Sequence, residues 1–165
     1  MKKIILFSFL LLPLLSYSKD GVVGFLEGHW ECTAKTEIGE GSIMEYRTND
    51  HYSVEQSTAR SKVTYKIYDE SQPNVASVIY IETSARFEIN GDVVKSFAYK
   101  KLLTRLEKDE LGIFTPESVA SFVNHNPDSV YYGKIMKIDD NHFKTYDLSN
   151  EALVVPCTRI NPLQQ

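Results

Sequence analysis

The sequence has few of the residues and spacings that mark a catalytic or metal site. It contains only two cysteines and four histidines. Neither cysteine belongs to a C-x-x-C pair, and no two histidines have H-x-H or H-x-x-x-H spacing, so a metal would find no ligand set. The histidines are His29, His51, His125 and His142. No serine lies in a G-x-S-x-G context. We therefore expect no catalytic residue, no metal and no cofactor, and a protein that is not an enzyme.

Positive charge is also scarce. Lysine and arginine number 18 against 22 aspartates and glutamates, which gives a net charge of −4 at pH 7. An acidic chain without a basic run argues against binding to nucleic acid and to an anionic membrane surface. Aromatic residues, in contrast, are plentiful, with ten tyrosines and eight phenylalanines.

The N-terminal segment has the pattern of a cleavable signal peptide. Lys2 and Lys3 precede an apolar stretch over residues 4–15, and Ser16 and Ser18 place small side chains at a peptidase site. The alternative is a transmembrane anchor, which needs roughly 18 to 20 apolar residues. The stretch is shorter than that, so we interpret it as a signal.

Cleavage is expected between Ser18 and Lys19, which makes residues 1–18 the signal peptide and predicts a periplasmic or secreted protein. Residues 19–165 then form a single domain of 147 residues without an integral membrane span. Two lysines are lost with the signal, and the net charge of the domain becomes −6.

The two cysteines are Cys32 and Cys157. An even pair in an exported domain predicts a disulfide bond, because exported proteins fold in an oxidising compartment. The alternative is a pair of buried free thiols.

Short runs of alternating apolar and polar residues, separated by turn residues, predict eight or nine antiparallel strands. The runs cover residues 30–36, 42–48, 51–57, 62–68, 75–89, 93–106, 130–138, 142–147 and 152–159. Asn49-Asp50 is interpreted as a turn, and Asn90-Gly91 as a hairpin turn of type I′. Thr115-Pro116-Glu117 has the pattern of a helix start and predicts one short helix over residues 118–123, a plug for one barrel mouth.

Such a succession of strands suits either a meander barrel or a sandwich. In an antiparallel ladder, opposed residues have a constant sum of sequence numbers. If Cys32 and Cys157 are bonded across paired strands, Trp30 therefore lies opposite Arg159 on the same face. This pairing joins the first strand to the last and removes the sheet edges, so it favours a closed, all-β, up-and-down barrel of about eight strands.

Gly28-His29-Trp30 on the first strand, with Arg159 on the last, resembles the calycin superfamily, especially its short bacterial lipocalin-like domains. The segments from Phe87 to Asp92, from Met136 to Asp140 and from Cys157 to Arg159 are similar to that family in style. The resemblance implies that the tryptophan packs across the base of the barrel beneath the arginine. Gly28, Trp30 and Arg159 are then the residues of barrel closure.

Seven aromatic residues on predicted strands are candidate ligand contacts: Tyr46, Tyr52, Tyr65, Tyr80, Phe87, Phe97 and Tyr99. A barrel of this size holds either packed side chains or one small ligand. Rings that point inward form an apolar cup with polar tips, and the alternative is an ordinary filled core. The sequence thus predicts an exported barrel that binds a small lipophilic or amphipathic ligand without chemistry. The alternative is an envelope interaction module, such as an inhibitor, immunity protein or accessory factor, that binds a protein partner through loops near residues 69–74 and 109–128.

Overall fold

The computed structural model describes residues 22–39, 41–122, 126 and 128–161. The predicted signal peptide and His125 lie outside these residues. The described chain contains eight strands and two short helices, in the order α1 (Val22–Leu26), β1 (Gly28–Gly39), β2 (Ser42–Ser53), β3 (Thr58–Asp69), β4 (Ala76–Asn90), β5 (Val93–Asp109), α2 (Pro116–Ser121), β6 (Tyr131–Lys137), β7 (His142–Asp147) and β8 (Asn150–Arg159).

The strands form a closed antiparallel barrel in sequence order, β1 to β8, which confirms the predicted fold class. Each strand pairs with the next along the chain, and β8 returns to β1. The last pairing has the predicted register, with Cys32 opposite Cys157 and Trp30 opposite Arg159. Because the ladder closes on itself, the barrel avoids the two free edges of an open sheet.

The junction between β1 and β8, called the seam below, is short. Its ladder covers three residue pairs, and the Cys32–Cys157 disulfide lies at one end of it, with the two Cα atoms 4.1 Å apart. Beyond the disulfide the ladder does not continue, and residues of both strands, among them Ala34, Val154 and Pro156, line a cleft of about 360 Å³. The disulfide therefore joins the two strands where their hydrogen-bonded pairing ends.

One end of the barrel, called the closed end below, is filled by α1 and the base of the sheet. Leu26 and Trp30 are fully buried, and Phe143 is 1 % exposed. The Trp30 ring makes tilted and edge contacts with Phe25 and Phe143, at centroid distances of 5.0 and 4.7 Å. The indole Nε1 donates to the Leu26 carbonyl at 3.0 Å, which satisfies its only polar group. No sequence pattern had predicted α1.

Arg159 fixes this helix to the barrel. Its guanidinium lies 4.2 Å from the Trp30 ring centroid and donates to the carbonyls of Phe25 at 2.5 Å and Glu27 at 2.7 Å. Gly28 is required at this point, since its φ is +112° and a Cβ there would lie 3.1 Å from Arg159 Nη1. The three residues expected to close the barrel therefore meet at one place.

Two predicted turns need correction. The turn at Asn49-Asp50 is wrong, because β2 runs unbroken from Ser42 to Ser53 and pairs with both β1 and β3 through these two residues. Pairing on both sides overrides the local turn preference of Asn and Asp. The hairpin after β4 is confirmed, but Asn90 pairs with Val93, so the loop residues are Gly91 and Asp92. Only Gly91 has positive φ, which is the pattern of a type II′ turn rather than I′.

The opposite end, called the open end below, has strands of unequal length. β5 pairs with β4 along nearly its whole length but with β6 only over residues 93–96. The β4–β5 hairpin therefore extends well past β6. The predicted short helix is found here as α2, with Thr115 as its N-cap and Pro116 in its first turn.

Candidate ligand-binding cup at the open end

A wall of aromatic rings lines the inner face toward the open end. The Tyr46 and Tyr65 rings lie 6.1 Å apart, and Tyr65 meets Phe122 edge-on at 5.3 Å. Phe122 in turn contacts Phe114 at 5.6 Å. Tyr46 lies on the same face of β2 as Thr48 and Asp50, which oppose the buried Cys32 and Trp30 on β1, so the rings face the interior.

A second pair of rings comes from the other side of the barrel. Tyr99 on β5 meets Tyr131 on β6 in a T-shaped contact at 5.0 Å. Tyr99 faces inward because Ala98, with φ of +53°, is an extra residue of a β-bulge between Phe97 and Tyr99. Tyr46, Tyr65, Tyr99 and Tyr131 are all partly exposed. These four tyrosines, with Asp50 beneath them, are called the cup.

Asp50 forms the floor of the cup. It is 8 % exposed, and its Oδ2 accepts from Thr48 Oγ1 at 2.8 Å and lies 3.7 Å from the disulfide sulfur of Cys32. The Ser61 hydroxyl is its other hydrogen-bonding partner. No Lys or Arg among the described residues forms an ion pair with it. Burial raises the pKa of this carboxyl, and the two hydroxyls oppose the rise only partly.

The phenols of Tyr46, Tyr65 and Tyr99 remain protonated over the physiological range. Burial, with smaller contributions from Tyr65 and Asp50, raises the pKa of Tyr46 to about 12. Burial also raises the pKa of Tyr65 and of Tyr99, and in both cases the negative charge of Asp50 adds to the effect. Each phenol can therefore donate a hydrogen bond to a guest as well as offer its apolar face.

The segment after β5 brings Phe114 and α2 over this end. Asp109 organises it: its carboxylate accepts from the Ser77 hydroxyl at 2.5 Å and from the backbone N–H groups of Ile113 and Phe114, both at 3.2 Å. These bonds, that of Ser77 first, lower the pKa of Asp109. Lys101 Nζ donates to the Ala120 carbonyl at 2.6 Å. This bond attaches α2 to residues 97–109 of β5, which extend past the pairing with β6 and are called the β5 arm below.

The structure distributes the seven predicted aromatic residues among three environments. Tyr46, Tyr65 and Tyr99 lie in the cup. Tyr52 and Phe87 pack against each other deeper in the barrel at 5.8 Å, as part of the core. Tyr80 and Phe97 lie on the outer face: the Tyr80 hydroxyl donates to Glu82 at 2.7 Å, and the Phe97 ring lies beneath Lys95 and Arg86.

Sequence reasoning missed four residues of this end: Asp50, Phe114, Phe122 and Tyr131. Asp50 belongs to the pair that the sequence predicts as a turn, although its place two residues from Thr48 and Tyr52 continues one face of a strand. The two phenylalanines lie outside the strands, so no alternation could place them. Tyr131 faces inward from β6, whereas its neighbour Tyr132 faces outward. The sequence alone does not indicate which of the two tyrosines faces the interior.

Other kinds of site find little support within the described chain. Its histidines, cysteines and carboxylates form no group of three or more that could hold a metal ion. None of its helices is long and apolar enough to cross a bilayer.

Comparison with models of known protein families gives no match, and comparison with curated protein sequences gives none either. The resemblance to calycins therefore remains a prediction from Gly28, Trp30 and Arg159.

Proposed function

We propose that this protein is a non-enzymatic, exported, lipocalin-like barrel that binds a small apolar or amphipathic ligand in the cup. The observation that carries the proposal is the contrast in exposure inside one barrel. The inward rings Trp30 and Phe143 are buried, whereas the tyrosines of the cup are partly exposed. Exposed inward rings offer apolar contact area to a guest, and a few polar groups fix its orientation, which is the usual composition of a small-molecule site.

Two further features support the proposal. The Trp30–Arg159 contact has the arrangement that the calycin resemblance implies. The Cys32–Cys157 disulfide suits an oxidising compartment and so agrees with the signal peptide predicted from the sequence.

Asp50 specifies the polar end of the ligand. A buried carboxylate without a cation is costly, and a guest that brings a positive charge or a strong hydrogen-bond donor compensates for it. The ligand we propose is therefore an amphipathic molecule whose ring or chain contacts the tyrosines and whose amine approaches Asp50.

The binding itself can be tested with the neutral lipophilic dye N-phenyl-1-naphthylamine, whose fluorescence rises in apolar sites. We expect saturable binding to the purified protein. Tyr65→Ala should weaken it by roughly tenfold, which corresponds to about 1.4 kcal/mol for one lost ring contact. Tyr80→Ala is the matched control, since this tyrosine lies on the outer face, and it should bind as the wild type does. Absence of saturable binding, or equal losses in both variants, would refute the cup as a ligand site.

The role of Asp50 can be tested with two probes that share one fluorophore. Dansylcadaverine carries an amine, and dansyl-6-aminohexanoic acid carries a carboxylate on a similar chain. The wild type should prefer the amine by at least about tenfold, and Asp50→Asn should abolish this preference while it retains the neutral dye. Equal affinity of the wild type for both probes would exclude an amine as the polar end and leave the apolar part of the proposal standing.

The protein-interaction module remains the second candidate because of one observation. The β5 arm at the open end exposes large apolar side chains, with Leu102 at 55 % and Leu103 at 42 %. Glu82 opposite Leu103 faces outward, so this leucine cannot line the cup. A partner that is recovered from envelope extract by the wild type and by Tyr65→Ala, but not by Leu103→Lys, would favour this candidate.

A further inference from the structure

A concave site lies on the outside of the barrel, across β2 to β5. Its lining contains basic and hydroxyl side chains, in contrast to the aromatic cup. Its volume is about 590 Å³, which is in the range of small-molecule sites, roughly 300 to 1,000 Å³. The lining side chains and backbone come from His51, Ser53, Gln56, Thr58, Ala59, Arg60, Ser84, Ala85, Arg86, Ala98, Lys100 and Leu102. We call this site the outer groove.

The strand register lines up basic residues along the outer groove. His51 is opposite Arg60, Arg60 is opposite Ser84, and Ser84 is opposite Lys100. Two residues after Ser84 on β4, Arg86 lies opposite Thr58. Directly opposed residues on neighbouring strands have their Cβ atoms about 4.5 to 5.5 Å apart, so these side chains share one surface.

The positive charge of the outer groove is not neutralised within the described part of the chain. None of its lining residues is an aspartate or glutamate. Arg60, Arg86 and Lys100 form no ion pair with a described carboxylate. Seven other surface cations each have such a pair: Lys35, Arg47, Lys95, Arg105, Lys108, Lys134 and Lys137. In a protein of net charge −4, three cations without acidic partners around one concavity form a local positive field.

A pair of histidines extends the row at its β1 end. His29 is opposite His51, and their rings stack with centroids 4.3 Å apart and planes at 14°. Burial, followed by repulsion from His51, lowers the pKa of His29. His29 therefore takes up a proton only below the ordinary histidine range, and a bound anion nearby would favour that protonation.

The charged groups near this pair are few. They are Arg60 and Lys62 on β3, Glu31 on β1, which Arg47 holds in an ion pair, and Glu27, whose carboxylate accepts from the backbone N–H of Val54 at 2.7 Å. The charge of Glu31 is paired with that of Arg47, whereas Glu27 keeps its negative charge beside a neutral N–H donor. The charged residue directly opposite His51 is the cation Arg60.

We propose that the outer groove binds a small, multiply charged oxyanion, a sulfate or phosphate ester group, through Arg60, Lys100, Arg86 and His51. Guanidinium and ammonium groups supply charge-assisted hydrogen bonds to such oxygens, and the hydroxyls of Ser53, Thr58 and Ser84 supply neutral donors. The site is independent of the cup, so either can fail without the other.

Calorimetric titration with naphthalene-1,3,6-trisulfonate tests this proposal, because the charge of this probe does not change between pH 5 and 8. We expect binding at low salt that weakens as salt is added. Arg60→Gln with Lys100→Gln should reduce the affinity by at least about tenfold. Lys144→Gln is the matched control: Lys144 is an exposed lysine on β7 that forms no ion pair with a described carboxylate, and its loss should leave the affinity unchanged.

The single variant Lys100→Gln guards against a folding defect, since Lys100 is exposed, and it should give a smaller loss in the same direction. No binding by the wild type, or an equal loss in the Lys144→Gln control, overturns the proposal.

The histidine pair gives a second readout. His51 lines the outer groove opposite Arg60, so His51→Asn should weaken binding of the trisulfonate severalfold. Equal affinity of His51→Asn and the wild type would exclude this histidine from the site.

Two sources of the anion can be separated in the same variants. Inorganic pyrophosphate represents a soluble phosphate compound, and vesicles of phosphatidylglycerol with phosphatidylcholine represent a lipid headgroup. Arg60-dependent binding of pyrophosphate alone indicates a soluble ligand, and Arg60-dependent binding of the vesicles indicates a headgroup. Binding of neither contradicts a phosphate ligand and leaves sulfate esters as the chemistry that the trisulfonate represents.

Discussion

The two ends of this barrel are built from the same strands and differ in how far their interiors are filled. At the closed end, α1 supplies Phe25 and Leu26 beneath Trp30, and Arg159 holds the helix through two backbone carbonyls. At the open end, α2 is attached by Lys101 and brings Phe122 against Tyr65, yet the tyrosines of the cup stay partly exposed. Closure of an end therefore depends on which side chains its helix carries and on how that helix is anchored to the strands.

The largest effect should come from breaking the disulfide at the seam. Cys32→Ser with Cys157→Ser releases a loop of 125 residues, and the chain-entropy model assigns such a loop up to about 4 to 5 kcal/mol of stability. The melting temperature should fall by roughly 10 to 20 °C. Thermal unfolding followed by circular dichroism checks this, and reductant should lower the melting temperature of the wild type but not of the variant. An identical wild-type curve in reductant would mean that other contacts close the barrel.

A comparable loss of stability is expected when a cavity is created at the closed end. Trp30→Ala removes a fully buried ring and leaves a cavity, so it should cost about 3 to 5 kcal/mol. Tyr46→Ala, the counterpart at the open end, removes a half-buried ring and should cost at most about 1 to 2 kcal/mol. Urea unfolding of both variants measures the difference. Equal costs would show that the cup is as tightly packed as the closed end.

A smaller effect should appear in the pH dependence of stability. Burial raises the pKa of Asp50 above its ordinary value of 3.8, so the folded protein holds this proton more tightly than the unfolded chain does. The stabilisation from Asp50 is therefore fully present below that ordinary value and is lost as pH rises through the raised pKa. Asp50→Asn should match the wild type near pH 3 and exceed its free energy of unfolding at pH 7. Parallel pH profiles of the two proteins would mean that Asp50 keeps its ordinary pKa.

The smallest effect should come from an ion pair at the rim of the open end. Lys35 and Glu45 are 3.1 Å apart, and the lysine side chain is 63 % exposed. Solvent screens such a pair, so Lys35→Ala should change the free energy of unfolding by less than any of the substitutions above. A larger loss in urea unfolding would indicate that the rim near the seam contributes to closure.

Much of the fold could be predicted from local patterns, because each strand pairs with its neighbour in the chain. The positions of β4 and β7 and the N-cap Thr115 follow from alternation and turn chemistry. The seam could be predicted because two cysteines fix a register. The continuous course of β2 could not, since Asn49 and Asp50 favour a turn locally and only the flanking strands hold them extended.

The candidate sites were less predictable than the fold. An extra residue at Ala98 reverses which side chains of β5 face inward, so Phe97 lies outside and Tyr99 inside. Counting alternate residues along the sequence cannot reveal such a bulge. The outer groove depends on basic residues from four strands that are far apart in sequence. The acidic composition is an average over the whole chain and predicts no basic patch. The strand register nevertheless brings a few basic side chains together on one surface.

The seam has a consequence for the order in which the barrel assembles. Every other ladder joins strands that follow one another along the chain, so those pairings close shorter loops than the seam does and can form earlier. The seam must wait for β8, the last strand of the fold, to meet the first. We therefore expect an intermediate that is a curled but open sheet with two free thiols. Oxidation of Cys32 and Cys157 would then mark the final folding event. Thiol trapping during refolding would measure when this event occurs.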